Sequence, residues 1–195
     1  MTRTTSNVLI DQIARDRTGS RDLLWIVGFS LLTAGLAQAR IPLPYTPVPL
    51  TGQTFAVLLA GAVLGARRGF ASQATYLALG AMGLPVFAGG IGGFPHLLGP
   101  TGGYLWSFPI AAGLLGWLTE RGAGRAVWKL VLALCASDLL ILSCGATWLG
   151  ILFRESASVA LHWGFYPFIV SNLIKIAAVG LTLPAILKRF EQRKL

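Results

Sequence analysis

The sequence predicts an all-α integral membrane protein: a six-transmembrane-helix bundle with ordered outer loops and both termini in the cytoplasm. Three observations lead to this prediction: the chain is apolar overall, its apolar residues form six runs, and its basic residues gather at alternate ends of those runs. Of the 195 residues, 54% are hydrophobic and only 12% are charged, whereas soluble domains carry about 25% charged residues. Because this leaves too little polar surface to coat a water-soluble globule, we expect one bundle and no separate soluble domain.

The six apolar runs set the domain organisation, since a bilayer core of about 30 Å needs roughly 20 apolar residues per helix. They comprise residues 23–39, 53–66, 69–84, 103–119, 127–150 and 163–187. The second and third are short, so they form either thin spans or a re-entrant hairpin that turns at Arg67 and Arg68. Spans are favoured, because a loop facing lipid would leave backbone groups unpaired. We therefore expect a basic arm at 1–22, a membrane domain at 23–187 and a basic tail at 188–195.

The basic residues indicate the orientation of the bundle. If the first turn faces the outside, 13 of the 16 Lys and Arg residues fall on the cytoplasmic side. Arg40 and Arg154 lie on the outer side, and Lys175 lies inside the sixth run. The positive-inside rule then predicts that both termini are cytoplasmic. The same asymmetry explains the net charge of +9, so we expect contact with membrane lipid and none with nucleic acid.

The N-terminal part allows alternative interpretations. The segment Ala37-Gln38-Ala39 resembles a signal-peptide cleavage site, but the preceding apolar run is longer than usual for a signal peptide and further spans follow. We therefore expect the segment to be retained. Within the arm, a short surface helix starting at Asn7 and an ordinary frayed tail fit equally well.

Two loops on the predicted outer side have unusual compositions. The first carries Pro42, Pro44, Pro47 and Pro49, a spacing that favours an extended backbone with few hydrogen bonds. The second, at 83–103, has seven glycines from position 89 onward, and glycine allows close approach of the backbone to another surface or a ligand. Together they predict a lid over a pocket that opens outward.

Two ionisable residues lie inside the last two runs. Asp138 is about 11 residues into the fifth run and Lys175 about 12 into the sixth, so both should sit near the middle of the bilayer. A charge at that depth costs several kcal/mol unless it is paired or solvated. Either these residues line a binding cavity, or they form a buried structural pair.

Four further residues are candidates for ligand binding. Asn172 shares a helix face with Lys175, and its amide both donates and accepts hydrogen bonds; a bond between helices is the alternative. Gln53 either lines the pocket mouth or caps backbone groups. Phe87 and Tyr104 flank the glycine-rich loop, whereas most other outer aromatic residues are expected in an interfacial belt.

Soluble-type catalysis finds no support in the sequence. There is no G-x-x-x-x-G-K-[ST], H-E-x-x-H or G-x-S-x-G motif, and His96 and His162 stand in no metal-binding spacing. We therefore expect no catalytic residue, cofactor or metal, and no ATP hydrolysis by this chain. Two other classes are weighed against a binding subunit: a stand-alone secondary transporter of a small vitamin-like solute, for which no inverted repeat is evident, and an intramembrane enzyme that uses Asp138.

Three segments carry a resemblance to a known family. They read PLPYTPVPLTGQTFAVLLAGAVLGARRG, GLPVFAGGIGGFPHLLGPTGGYL and PFIVSNLIK. In this order they resemble the BioY family, the biotin-specific substrate-binding subunits of energy-coupling-factor (ECF) transporters. The similarity runs from about Leu23 to about Leu187, nearly all of the chain beyond the arm.

The resemblance implies a six-helix bundle with cytoplasmic ends that binds biotin in its outer half. It also implies coupling to a transmembrane ECF partner and two ATPase subunits. The family motif G-D-x-x-K corresponds here to residues 171–175, where Lys175 is kept and Asn172 replaces the carboxylate. The glycine run adds Gly90, Ile91 and Gly92 to the candidate binding residues, and some family members carry a polar residue where this chain has Ile91.

Overall fold

The protein is a helical bundle with two short strands. The computed structural model describes residues 19–192, and within that range the side chains other than those of Arg125, Thr182 and residues 184–192. The helices are α1 (Gly19–Gln38), α2 (Gln53–Leu64), α3 (Ala66–Ala81), α4 (Phe94–Leu97), α5 (Gly102–Glu120), α6 (Val127–Phe153), α7 (Ala157–Gly164) and α8 (Tyr166–Gln192). A 3-10 turn at Ala123–Arg125 precedes α6, and strands β1 (Arg40–Ile41) and β2 (Leu50–Thr51) form an antiparallel pair.

Each of the six predicted apolar runs overlaps one long helix. These six long helices are α1, α2, α3, α5, α6 and α8. The boundaries shift at several helices: α1 starts at Gly19, four residues before the predicted run, and α3 begins and ends three residues earlier than its run. At the other ends, α6 continues to Phe153 and α8 to Gln192. The break between the second and third runs, expected at Arg67 and Arg68, lies instead at Gly65, whose φ of +81° favours glycine. The predicted surface helix from Asn7 lies outside the described residues.

Length and composition single out some of these helices as membrane spans. Among residues 19–192, α1 and α6 are long and apolar enough to cross a bilayer, and α7 and α8, bent by 40° at their junction, add a third if counted together. Helix α2 is apolar but has only 12 residues, or about 18 Å of helix.

Helices α2 and α5 occupy the centre of the bundle. Helix α5 packs against α2, α3 and α6, and α2 also contacts α1 and α8. Small residues allow these close crossings: a methyl group added at Gly116 on α5 would fall inside the backbone of Gly65 and Ala66, and one at Gly61 would meet the carbonyl of Ala112.

The buried apolar residues form two clusters. The aliphatic cluster comprises Leu58, Ala60, Ala62, Val63, Leu64, Leu115, Leu130, Ala133, Leu134, Ile176, Val179 and Leu183. The aromatic cluster lies toward the loops and comprises Val48, Val57, Tyr76, Leu77, Phe87, Leu97, Tyr104, Leu105, Phe108, Ala111, Ala112, Ile141, Leu142, Leu149 and Phe168.

The proline-rich loop is held at its ends. Strands β1 and β2 pair Arg40 with Thr51, and the Gly52 N–H donates to the carbonyls of Leu36 (3.2 Å) and Ala39 (3.1 Å). Between the strands, the Thr46 hydroxyl donates to the carbonyl of Trp163 at 2.7 Å. The loop therefore pairs only at its base and crosses toward the α7–α8 junction.

The glycine-rich loop is ordered by a tight turn. The Phe87 N–H donates to the Ile91 carbonyl (2.9 Å) and the Gly90 N–H donates to the Phe87 carbonyl (3.1 Å). Gly89 and Gly90 adopt φ values of +83° and +70°, which other residues rarely adopt. Indole N–H groups tie the rest of the loop down, because Trp106 donates to Leu97 (3.1 Å) and Trp148 to Gly99 (2.9 Å).

Candidate functional site

A cavity lies beneath the two loops, within the aromatic cluster. It encloses about 520 Å³ of empty space, counting the open solvent at its mouth. Its apolar wall consists of Val48, Pro49, Ala88, Leu105, Phe108, Leu142 and Phe168. Its polar residues are Thr51, Gln53, Thr54, His96, Thr101, Tyr104, Asn172 and Lys175.

The polar wall contains a chain of hydrogen bonds that crosses three helices. Lys175 on α8 donates from Nζ to Thr54 Oγ1 on α2 at 2.8 Å and to Asn172 Oδ1 at 3.0 Å. Asn172 in turn donates from Nδ2 to both carboxylate oxygens of Asp138 on α6, at 2.8 and 3.0 Å. We call this set of four residues, Asp138, Asn172, Lys175 and Thr54, the polar relay.

The polar relay connects the charged groups of Asp138 and Lys175 indirectly. Among the described residues no direct ion pair joins them; the Asn172 amide stands between the carboxylate and the ammonium. The amide can bridge them in only one orientation, because its NH₂ must face the acceptor-only carboxylate and its oxygen the donor-only ammonium. Asp138 (5% exposed) and Asn172 (2%) are both buried, so neither exchanges these partners for bulk water.

Lys175 keeps hydrogen-bonding capacity for a ligand. An ammonium group has three N–H donors, and the structure assigns two of them, to Thr54 and Asn172. Lys175 also lines the cavity. The third N–H of Lys175 can therefore donate to an acceptor atom of a ligand in the cavity. The Asn172 oxygen already accepts from Lys175.

Gln53 and Tyr104 brace the cavity from two other sides. Gln53 donates from Nε2 to the hydroxyl of Tyr76 at 2.6 Å, and that hydroxyl donates to the Val86 carbonyl at 3.2 Å. Gln53 thus connects α2 to α3 and to the glycine-rich loop. The Tyr104 hydroxyl donates to the Gly164 carbonyl at the α7–α8 junction, and its ring occupies the space that a side chain at position 145 would need.

The structure brings four of the nine predicted site residues to the cavity wall: Gln53, Tyr104, Asn172 and Lys175. Asp138 lies behind Asn172 and reaches the cavity only through it. The other four are not part of the lining. They are Phe87, Gly90, Ile91 and Gly92.

Most of residues 87–92 lie outside the cavity lining, either buried next to it or exposed at the surface of the loop. Phe87 is fully buried, with its ring edge-on to Tyr76 at 5.6 Å and stacked on His96 at 5.1 Å. Ile91 is 45% exposed, and Gly90 is exposed as well. Among residues 87–92 it is Ala88 that lines the cavity.

Sequence reasoning missed Thr54, His96 and Thr101. Thr54 is next to Gln53 at the start of α2, and its place one residue after the predicted pocket mouth was the available signal. His96 Nε2 lies 3.3 Å from Thr101 Oγ1, and burial lowers the pKa of His96 below its usual 6.5. Nothing in the spacing of the two residues indicated that the loop turns them into the cavity.

Comparison with known proteins agrees with this architecture. The model of the BioY family matches residues 5–192. A Pyrococcus horikoshii protein named "Probable biotin transporter BioY" is 44% identical over 139 residues, covering 71% of this chain and 80% of that protein. The "Biotin transporter BioY" of Thermotoga maritima is 41% identical over 143 residues, covering 73% and 83%.

A solved structure has the same fold. It is described as the "S-component for biotin from an ECF-type ABC transporter" and superposes with a TM-score of 0.71 and 24% sequence identity, covering 92% of this chain and 96% of that one. The family match spans nearly the whole chain, and the apolar helices accord with it. The chain is thus a membrane protein rather than an enzyme, and it belongs to the BioY family.

Proposed function

We propose that this protein is the biotin-capture subunit of an uptake system in the cell membrane. One observation of the structure supports this most directly: the Lys175 ammonium is anchored by Thr54 and Asn172 at the wall of a cavity with one N–H donor to spare. The substrate is supported by the relatives, whose names describe them as biotin transporters.

The cavity suits the chemistry of biotin. The ligand has a ureido group with one acceptor and two donors, an apolar thioether ring and a carboxylate tail. We assign the ureido oxygen to Lys175, because a compact neutral acceptor suits an ammonium that already has a buried carboxylate behind it. Leu105, Phe108, Leu142 and Phe168 offer an apolar wall to the ring, and the tail would then point toward the loops.

We also propose the orientation of the bundle in the membrane. All six long helices would span it, with the termini in the cytoplasm and the cavity opening outward beneath the two loops. The distribution of the 13 basic residues at one set of helix ends supports this orientation. In this arrangement the proline-rich and glycine-rich loops form the lid. The hydrogen bond of Thr46 holds the proline-rich loop, and those of Trp106 and Trp148 hold the glycine-rich loop.

Transport by this subunit would depend on partners. The sequence has no phosphate-binding loop, so energy from ATP must come from other chains. We propose an ECF transmembrane coupling subunit with two ATPase subunits, in keeping with the description of the solved structure with the same fold.

Calorimetric titration of the purified protein tests the ligand. Biotin is expected to bind, and an analogue that lacks the ureido carbonyl is expected to bind at least tenfold more weakly, because the Lys175 donor would lose its acceptor. Equal binding of both compounds would contradict the assigned orientation, and no binding of biotin would contradict the function itself.

Reconstitution tests the dependence on partners. Proteoliposomes that contain this chain alone are expected to bind biotin without accumulating it. Uptake by the chain alone would instead support a stand-alone secondary transporter.

A further inference from the structure

The buried carboxylate of Asp138 has no direct contact with the cavity, yet the whole polar relay depends on it. It accepts from Asn172 at 2.8 and 3.0 Å and lies 5% exposed on α6. A buried carboxylate with no role in the site would be a costly feature, since an uncompensated charge in the bilayer core costs several kcal/mol.

Asp138 determines which way the Asn172 amide points. If the carboxylate were absent, the NH₂ and carbonyl ends of Asn172 could exchange places, and an NH₂ group would then face the Lys175 ammonium. Because the carboxylate accepts only, it holds the Asn172 oxygen toward Lys175 Nζ at 3.0 Å. It also supplies the negative charge that balances the ammonium through the aligned amide dipole.

We infer that Asp138 is a positioning residue of the ligand site, which acts through Asn172 to fix the Lys175 ammonium at Thr54. This inference rests on the proposed function, because its consequence is an ammonium aimed at a ligand acceptor. It further implies that the site needs one carboxylate and one amide at positions 138 and 172, and that the two groups can be exchanged between α6 and α8.

The exchange can be tested with three variants. Asp138→Asn leaves Lys175 without a counter-charge, and Asn172→Asp places two carboxylates in hydrogen-bond contact, where they repel or must share a proton. Each single variant is expected to weaken biotin binding at least tenfold. The double variant Asp138→Asn/Asn172→Asp places a carboxylate directly beside Lys175 and an amide behind it, so its affinity is expected to return to within threefold of the wild type.

A second measurement separates positioning from a merely structural role. The ureido-carbonyl-free analogue has no acceptor for Lys175, so the single variants are expected to bind it as the wild type does. Ser137→Ala is the matched control, because Ser137 is the fully buried neighbour of Asp138 and its hydroxyl has no hydrogen-bond partner. It is expected to leave both affinities unchanged.

Two outcomes would overturn the inference. One is a double variant weakened by the product of the two single effects, which would mean that the positions act independently. The other is an equal loss of affinity for biotin and for the analogue in the single variants. Both outcomes are changes in affinity relative to the wild type, so they can be measured only if the wild type binds biotin. If the wild type does not bind biotin, the proposed function itself fails, and the wild-type titration shows this separately.

Discussion

The two buried clusters of the bundle share helices but differ in composition. In the aliphatic cluster every buried member is Leu, Val, Ile or Ala, whereas five of the fifteen in the aromatic cluster are Tyr or Phe. The cavity and its polar relay border the aromatic cluster. Helix α2 runs from one to the other within 12 residues, from Gln53 in the cavity wall to Leu64 in the aliphatic cluster.

The contrast suggests a physical reason for where the cavity lies. Small branched side chains interdigitate to high density, and Gly116 lets α5 approach the backbone of Gly65 and Ala66 closely at that end. Large flat rings held by hydrogen bonds, such as Tyr104 at Gly164 and Tyr76 at Gln53, keep helices apart and leave a space between them. We therefore expect changes near the cavity to alter ligand affinity and changes in the aliphatic part to alter stability.

The largest effect is expected from Lys175→Ala. Removing the ammonium deletes the donor to the ligand and leaves the Asp138 charge without its partner. Biotin affinity should fall at least tenfold, at least about 1.4 kcal/mol, as measured by calorimetry. Lys129→Ala, at an exposed position of α6, is the control, and an unchanged affinity in a folded Lys175→Ala protein would refute the role of the ammonium.

A smaller effect, and one of a different kind, is expected from Gly116→Ala. The added methyl group would overlap the backbone of Gly65 and Ala66, and overpacking of this kind costs about 1–3 kcal/mol. The apparent Tm should fall by several degrees while biotin affinity stays close to that of the wild type.

Gly113→Ala is the matched control for that change. It lies on the same helix, and its methyl group would meet Phe70 at 3.6 Å and the Ala66 carbonyl at 3.9 Å, both ordinary contact distances, so it should not lower Tm. If both variants proved equally stable, the close crossing at Gly116 would not be what holds the aliphatic half together.

Thr54→Val sharpens the comparison by removing a hydroxyl without changing side-chain volume greatly. That hydroxyl accepts from Lys175 at 2.8 Å and donates to Asn172 Oδ1 at 3.5 Å. Lys175 would lose its acceptor on α2 at 2.8 Å but keep Asn172. A loss of about 0.5–1.5 kcal/mol in binding is expected, measured in the same titration, with little change in Tm. A drop in Tm without a drop in affinity would assign Thr54 to packing instead.

The smallest effect is expected from the pH dependence of His96. Burial lowers its pKa from 6.5, so the unfolded chain binds the proton more tightly than the folded protein. Stability should therefore be complete above about pH 6.5 and decline as the pH falls through 6.5 toward the lowered pKa. His96→Gln should lose less Tm between about pH 7.5 and about pH 5 than the wild type.

Much of the architecture follows from the sequence because it depends on local pattern. A helix in lipid must satisfy its own backbone, so each apolar run of sufficient length had to become a helix, and each did. The positions of Asp138 and Lys175 along their helices likewise followed from counting residues. The turn between α2 and α3 was misplaced by two residues, because the arginines were read as the loop while the left-handed Gly65 made the turn.

The site was predictable only in part. Asn172 and Lys175 share a helix face, so their joint presence at the cavity wall followed from helical spacing. The glycine run predicted a close backbone approach, but not that Gly90, Ile91 and Gly92 would lie outside the lining while His96 and Thr101 lie within it. That outcome depends on a turn closed between Phe87 and Ile91, which no periodicity records.

By itself, the sequence determined that the chain lies in a membrane, which runs become helices and where along those helices the charged residues fall, since burial in lipid and backbone pairing act on each segment separately. Only the tertiary structure decided that Asp138 reaches Lys175 through Asn172 rather than directly, and that Thr54 completes the chain of bonds. Those partners are separated by 34 to 121 positions in sequence where they lie on different helices. Their distances depend on how α2, α6 and α8 pack, and that packing is set by side-chain volumes over the whole bundle.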